Sequence, residues 1–167
     1  MSKEASRIKK HVRLQATQER VWQAITDSRQ FGHWFGIEFD GPFEAGKAVH
    51  GRIVPTQVDE AVAKMQAPYS GMSVVFLVQS IEPMTYFSFR WHPNAVDPGQ
   101  DYSKEPTTLV EFRLSPEGAG TELVIEESGF ESIPVDRRAQ AFSSNEEGWT
   151  AQVRLIEAYL SPNERQL

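Results

Sequence analysis

The sequence predicts an α+β domain in which a curved antiparallel β-sheet is wrapped around one long C-terminal helix, with two short helices after the first strand. Three observations carry this prediction. Several β signals follow one another from residue 73 to residue 127, joined by turns and one longer connection, which favours antiparallel neighbours. One long amphipathic segment follows them, near residues 134–160, with a stripe suited to cover one face of a sheet. Nothing in composition breaks the 167 residues into more than a single domain, and that length suffices for a sizeable core.

Residues 7–14 predict a strand in which Ile8, Val12 and Leu14 share a side. Thr17 is an N-cap candidate, and Glu19 lies near the positive end of the helix that follows over 18–27. In that helix Val21, Trp22 and Ile25 have helical spacing. A second short helix is predicted over 29–34, where Phe31, Trp34 and Phe35 crowd together as a structural wedge. Gly41-Pro42 and Ala45-Gly46 mark turns, and 47–54 predicts a strand. Residues 55–73 fit no strand and predict an excursion with one helical turn.

The stretch 73–81 predicts a strand ended by Glu82-Pro83. Residues 85–91 alternate, with Phe87, Phe89 and Trp91 on one face and Tyr86, Ser88 and Arg90 on the other. Residues 107–114 place Val110, Phe112 and Leu114 together, a Gly-Ala-Gly turn follows at 118–120, and 121–127 returns with Leu123 and Ile125 on one side. The final helix is predicted to begin near Pro134, which suits a first turn, and to end at Ser161-Pro162.

That helix has an interrupted face. Trp149, Val153, Ile156 and Leu160 are spaced by four, three and four, and Phe142 extends the stripe seven residues back. Between Phe142 and Trp149 stand only Ser143, Ser144, Asn145, Glu146, Glu147 and Gly148. An interior glycine costs about 1 kcal/mol relative to alanine. A polar gap opposite Phe87, Phe89, Trp91 and Phe112 predicts a mostly apolar cavity with a few polar groups, the usual makeup of a small-molecule pocket. The alternative is that Gly148 admits a closely packed neighbour while Glu146 reaches solvent.

Glu127 shares strand parity with Leu123 and Ile125 and is predicted to point inward, whereas Arg90 and Glu111 point outward. An inward carboxylate in an apolar pocket acquires a raised pKa and suits acid–base work. The plainer alternative has Glu127 capping or pairing near the helix start with Arg137 or Arg138. The connection 92–106 is long for adjacent strands and predicts an ordered flap, with Tyr102 as a lid candidate.

Other chemistry is excluded or unsupported. There are no cysteines, so disulfides, thiolate metal sites and a cysteine nucleophile are ruled out. His11, His33, His50 and His92 show no ligand spacing, and no phosphate-cradling glycine loop or GxSxG elbow occurs. No catalytic residue, metal ligand or cofactor is therefore assigned. The net charge of −6 speaks against nucleic acid as a partner, and the basic group Arg7, Lys9, Lys10, His11 and Arg13 is expected on a solvated strand face. No secretory or membrane-spanning segment is recognised, which sets a cytoplasmic location as the expectation.

The stretches VRLQATQERVWQAITD, FGHWFG, IEPMTYFSFRWHP, TTLVEFRL, ELVIEESGF and NEEGW, in this order, resemble the START-like (SRPBCC, helix-grip) superfamily. Within it the chain is similar to the bacterial branch related to the activator of the ninety-kilodalton heat-shock protein's ATPase. The resemblance implies a sheet gripping the long helix over a hydrophobic tunnel. It also implies one of three functions, because fold does not fix function. The first is non-catalytic binding of a small apolar or amphipathic ligand, lined by Phe87, Phe89, Trp91, Tyr102, Phe112, Glu127, Phe142, Asn145, Glu146 and Trp149. The second is an enzyme, cyclase- or hydrolase-like, acting on such a ligand through Glu127 or His92. The third is a module that stimulates a chaperone. Of these the first is expected, because no two converging catalytic groups are named by the sequence. The third is the lesser expectation, since the eukaryotic activator adds an N-terminal domain for chaperone binding that has no counterpart expected here. Ligand identity and oligomeric state are not legible.

Overall fold

The computed structural model describes residues 7–97 and 99–161. A seven-stranded antiparallel sheet is ordered β1-β7-β6-β5-β4-β3-β2. Strand β1 (Ile8–Leu14) opens the chain at one edge, with Ile8, Val12 and Leu14 buried on one side. Two helices, α1 (Gln18–Thr26) and α2 (Ser28–Phe35), carry the chain to the opposite edge. From there β2 (Ile37–Phe39), β3 (Ala48–Ile53), β4 (Ser73–Glu82), β5 (Tyr86–Trp91), β6 (Thr108–Glu117) and β7 (Gly120–Ser128) return strand by strand until β7 pairs with β1. A register shift between Val78 and Ser80 bends β4 against β5. Helix α4 (Val135–Tyr159) closes the fold, so the α+β helix-grip architecture is the one that the sequence predicted.

Local chemistry sets the helix boundaries. Thr17 caps α1, its hydroxyl accepting from the Arg20 N–H at 3.2 Å. Asp27 caps α2 by accepting from the Arg29 N–H at 2.9 Å, and α2 ends at Gly36 in a left-handed conformation, φ 103°. Pro134 stands at the cap position of α4. At the other end Pro162 lies outside the described residues, as does Pro98 in the flap.

Two elements differ from expectation. Strand β2 was not predicted: three residues are too few to show alternation. The excursion 55–72 holds a helix α3 (Glu60–Gln66), capped by Asp59, and a short 3₁₀ turn (Ala67–Tyr69), more than the single turn expected.

The aromatic wedge of α2 fills the centre of the sheet. Phe31 is fully buried, and its ring centroid lies 5.7 Å from Phe76, 6.4 Å from Phe89 and 6.1 Å from Phe112. Phe76 and Phe89 stack at 3.9 Å. Helix α4 buries Ala141, Trp149, Leu155 and Ile156, with Phe142 and Val153 partly covered, and Leu160 at its C-cap is buried too. Leu155 was outside the predicted stripe.

Two helix glycines behave oppositely. At Gly32 a Cβ would stand 2.1 Å from the Ile37 carbonyl oxygen, a backbone atom that cannot yield, so α2 lies against β2 only because the side chain is absent. At Gly148 a Cβ meets nothing within 4 Å, and the residue is exposed. Gly148 therefore neither admits a close neighbour nor looks into the core, which corrects both earlier expectations for it. Gly32→Ala should lose about 1–3 kcal/mol through overpacking, whereas Gly148→Ala should gain about 0.5–1 kcal/mol from helix propensity. Denaturant titration of the two variants beside the parent checks both signs.

Candidate functional site around Glu127

Glu127 is entirely buried, as its strand parity predicted. It lies opposite Val110 of β6. Thr108, two residues before Val110, shares the inner face and pairs with Trp91 of β5. Trp91, Thr108 and Glu127 thus converge from three adjacent strands. Asn145 and Trp149 lie one turn apart on α4 and reach down from the opposite side.

These four side chains satisfy the carboxylate. Its Oε1 accepts from Trp149 Nε1 at 2.8 Å and from Asn145 Nδ2 at 2.9 Å. Its Oε2 accepts from Thr108 Oγ1 at 2.6 Å, from Trp91 Nε1 at 2.8 Å and from Asn145 Nδ2 at 3.1 Å. All four donor groups are neutral. Burial raises the pKa of Glu127, and the hydrogen bonds from Thr108, Trp91, Trp149 and Asn145 oppose the rise without cancelling it.

Neither arginine named beforehand pairs with Glu127. Arg137 is bound by Glu105 at 2.9 Å and by the carbonyl oxygens of Pro93 and Asn94, and Arg138 donates to the Ile133 carbonyl. The pairing expectation is thereby corrected. Lys10, one diagonal away on the inner face through its register with Ile125, pairs with Glu146 of α4. The basic group of β1 is accordingly not uniformly solvated: Lys10 is turned inward and part-buried, while Lys9, His11 and Arg13 are exposed.

Rings surround the carboxylate. Trp149 lies 5.9 Å from Phe35, 6.0 Å from Trp91 and 6.0 Å from Phe112, and Phe35 lies 6.1 Å from Trp91. Phe87, Phe89 and Phe112 are fully buried and fill the sheet's inner face. Of the residues expected around a ligand, Trp91, Phe112, Glu127, Asn145 and Trp149 meet at this centre. Phe142 packs beside it on Phe130 at 5.2 Å, and Glu146 turns to Lys10. Thr108 and Phe35 were not anticipated. Thr108 was legible, because parity with Val110 and Phe112 puts its hydroxyl inside, whereas nothing local marks Phe35.

The flap between β5 and β6 is tied to α4 through Pro93, Asn94 and Tyr102. The Arg137 guanidinium lies 4.8 Å from the Tyr102 ring centroid, and Ser144 Oγ bonds Asn94 Oδ1 at 3.1 Å. Tyr102 therefore packs on α4, outside the Glu127 centre. His92 Nε2 lies 3.1 Å from the Glu105 carbonyl oxygen. Among the described residues no group of three or more His, Cys, Asp or Glu side chains is gathered to hold a metal ion, and no helix is long and apolar enough to cross a membrane. Two open grooves lie elsewhere. One of about 240 Å³ lies between Arg29, His33 and Pro55, and another of about 490 Å³ lies between Arg13, Gln15 and Ala119. Neither touches Glu127.

Comparison with known proteins agrees with this architecture. A protein from Arthrobacter aurescens, solved by solution NMR, superposes with a TM-score of 0.72 at 18% identity, covering 96% of this chain and 88% of that one. The Aha1 dimer from Colwellia psychrerythraea gives 0.66 at 14% identity, covering 93% and 96%. CalU16 from Micromonospora echinospora gives 0.60 at 22%, covering 96% and 79%. Among curated proteins none matches the sequence. The profile described as "Activator of Hsp90 ATPase homolog 1-like protein" matches residues 15–161, from the end of β1 through α4, and the chain belongs to that family.

Proposed function

We propose that this protein is a non-catalytic receptor for a small apolar or amphipathic molecule, bound between the sheet and α4 with its polar end at Glu127. One observation carries the reading: a wholly buried carboxylate, held by neutral donors only, is set among aromatic rings between the sheet and α4. Apolar walls with a few fixed polar groups are the makeup of ligand sites. A buried ionisable group without an opposite charge is an expensive feature to keep for packing alone. Entry would run beneath the flap, beside part-exposed Asn145 and Trp91. The rings that now occupy the space would have to part for the molecule to enter.

Catalysis by Glu127 has less support. Each of its oxygens is engaged by two or three neutral donors, and among the described residues no second titratable group bonds it to relay a proton. Chaperone stimulation rests on family membership alone.

Native mass spectrometry of freshly purified protein should reveal a retained small molecule, and an environment-sensitive apolar dye should bind saturably. Asn145→Leu should reduce dye binding at least several-fold, because leucine fills the entry beside Glu127. The fold should hold, since Trp149 still bonds Oε1 while Trp91 and Thr108 bond Oε2. Undiminished dye binding in a folded Asn145→Leu protein, or none in the parent, would remove the site from consideration.

A further inference from the structure

We infer that the polar end of the bound molecule is a cationic amine that binds the Glu127 carboxylate in place of the Asn145 amide. The inference rests on the ligand-binding reading above and specifies the chemistry of the ligand. Four observations support it.

The first is charge. Among the described residues Glu127 is bonded only to neutral groups, and Lys10, on the neighbouring diagonal, is matched by Glu146. When Glu127 is ionised, Glu127, Lys10 and Glu146 leave one uncompensated negative charge at this end of the sheet, and a bound cation would favour that ionised form. A cation is the partner that best offsets a buried carboxylate. A carboxylate or phosphate ligand would double the deficit instead.

The second is the wall. Trp91, Trp149, Phe35 and Phe112 are gathered with ring spacings of 5.9–6.1 Å around the acid. Aromatic faces attract ammonium groups, and more strongly where water is excluded.

The third is an exchangeable donor. Trp149 and Thr108 are deeply buried, whereas Asn145 is part-exposed. Asn145 supplies a single NH₂ shared between both oxygens, at 2.9 and 3.1 Å. An ammonium inserted there would donate to the same two oxygens. It would also donate to the Asn145 side-chain oxygen once that amide turned over. An ammonium brings a full positive charge to the carboxylate, which the neutral amide it would replace does not supply.

The fourth is access. Ser144, adjacent to Asn145, is bonded to Asn94 of the flap at 3.1 Å. The replaceable donor thus lies directly under the segment that has to lift.

A matched set of probes tests this on the intact protein: 2-(2-naphthyl)ethylamine, 2-(2-naphthyl)ethanol and 2-naphthylacetate, which share one apolar body. Calorimetry should give the amine at least about tenfold tighter binding than the alcohol, with the acid weakest. Because the net charge of −6 attracts amines to any surface, location must be read as well. The indole N–H resonances of Trp91 and Trp149 should move on adding the amine, while those of Trp22 and Trp34 stay. Glu127→Gln should abolish the preference for amine over alcohol. If that variant fails to fold, the indole shifts in the parent protein still decide. Equal or tighter binding of the alcohol, or amine binding that leaves both indoles unmoved, overturns the inference. A dye that binds the parent saturably while the amine shows no preference defeats the amine alone. Absence of binding by the dye and all three probes defeats the ligand-binding reading with it.

Discussion

Trp149→Ala should lower stability by about 3–5 kcal/mol. The indole is 2% exposed and touches rings from three separate elements: Phe35 of α2, Trp91 of β5 and Phe112 of β6. No single element can close over the hole it leaves, because each is pinned elsewhere. Phe112 sits in the sheet ladder, and Phe35 packs on Phe31 at 4.8 Å. The variant also removes one of the two donors on Glu127 Oε1, leaving Asn145 alone there. Trp149→Phe separates the two losses. It keeps most of the ring and deletes the N–H, and its cost should be about 1 kcal/mol. Guanidinium titration followed by circular dichroism measures both. A loss below about 1 kcal/mol for the alanine variant would mean that α4 is not what holds the aromatic centre shut.

The sheet was legible because its strands advertise themselves. Alternation in Tyr86–Trp91 and in Thr108–Glu117 requires one buried face, and a glycine turn joins the last two strands. The long helix was legible from Trp149, Ile156 and Leu160, which are all buried. What failed was the meaning of the gap between Phe142 and Trp149. Read locally, a polar turn in an apolar stripe suggests empty space. In three dimensions Asn145 is there because Glu127 lies opposite and needs a donor, and Glu146 is there because Lys10 points inward. The missing step was to pair the inward acid with every inward N–H or O–H that parity supplied. Trp91 and Thr108 were available to that reasoning. Helix α2 was recognised as a wedge, yet its coverage of Phe89 and Phe112 was not, since no local pattern says which helix a sheet face will meet.

Glu127→Leu should be more damaging than its volume suggests, with a loss above about 4 kcal/mol. Leucine restores apolar bulk but strands the N–H groups of Trp91, Trp149 and Asn145 and the hydroxyl of Thr108, and each buried group left unpaired costs about 1–3 kcal/mol. Glu127→Gln probes charge instead. Whichever way its amide turns, the NH₂ faces one indole N–H, because Trp149 bonds one carboxylate oxygen and Trp91 the other. That mismatch is independent of pH, whereas the parent's behaviour is not. Burial raises the folded-state pKa of Glu127, so between the ordinary carboxylate range and that raised value the folded protein holds a proton that the unfolded chain has released. The contribution of Glu127 to stability is therefore fully present below the ordinary carboxylate range. It declines as pH rises through the window and is constant above it. The advantage of the parent over Glu127→Gln should be largest in acid and shrink as pH rises through that window, at up to about 1.4 kcal/mol per pH unit for one titrating proton. Denaturation of both proteins across the window gives the difference directly. A difference that stays flat would show that the hydrogen bonds from Thr108, Trp91, Trp149 and Asn145 hold the carboxylate at its ordinary pKa. An advantage that grows with pH would show that they depress it, with the four neutral donors outweighing burial.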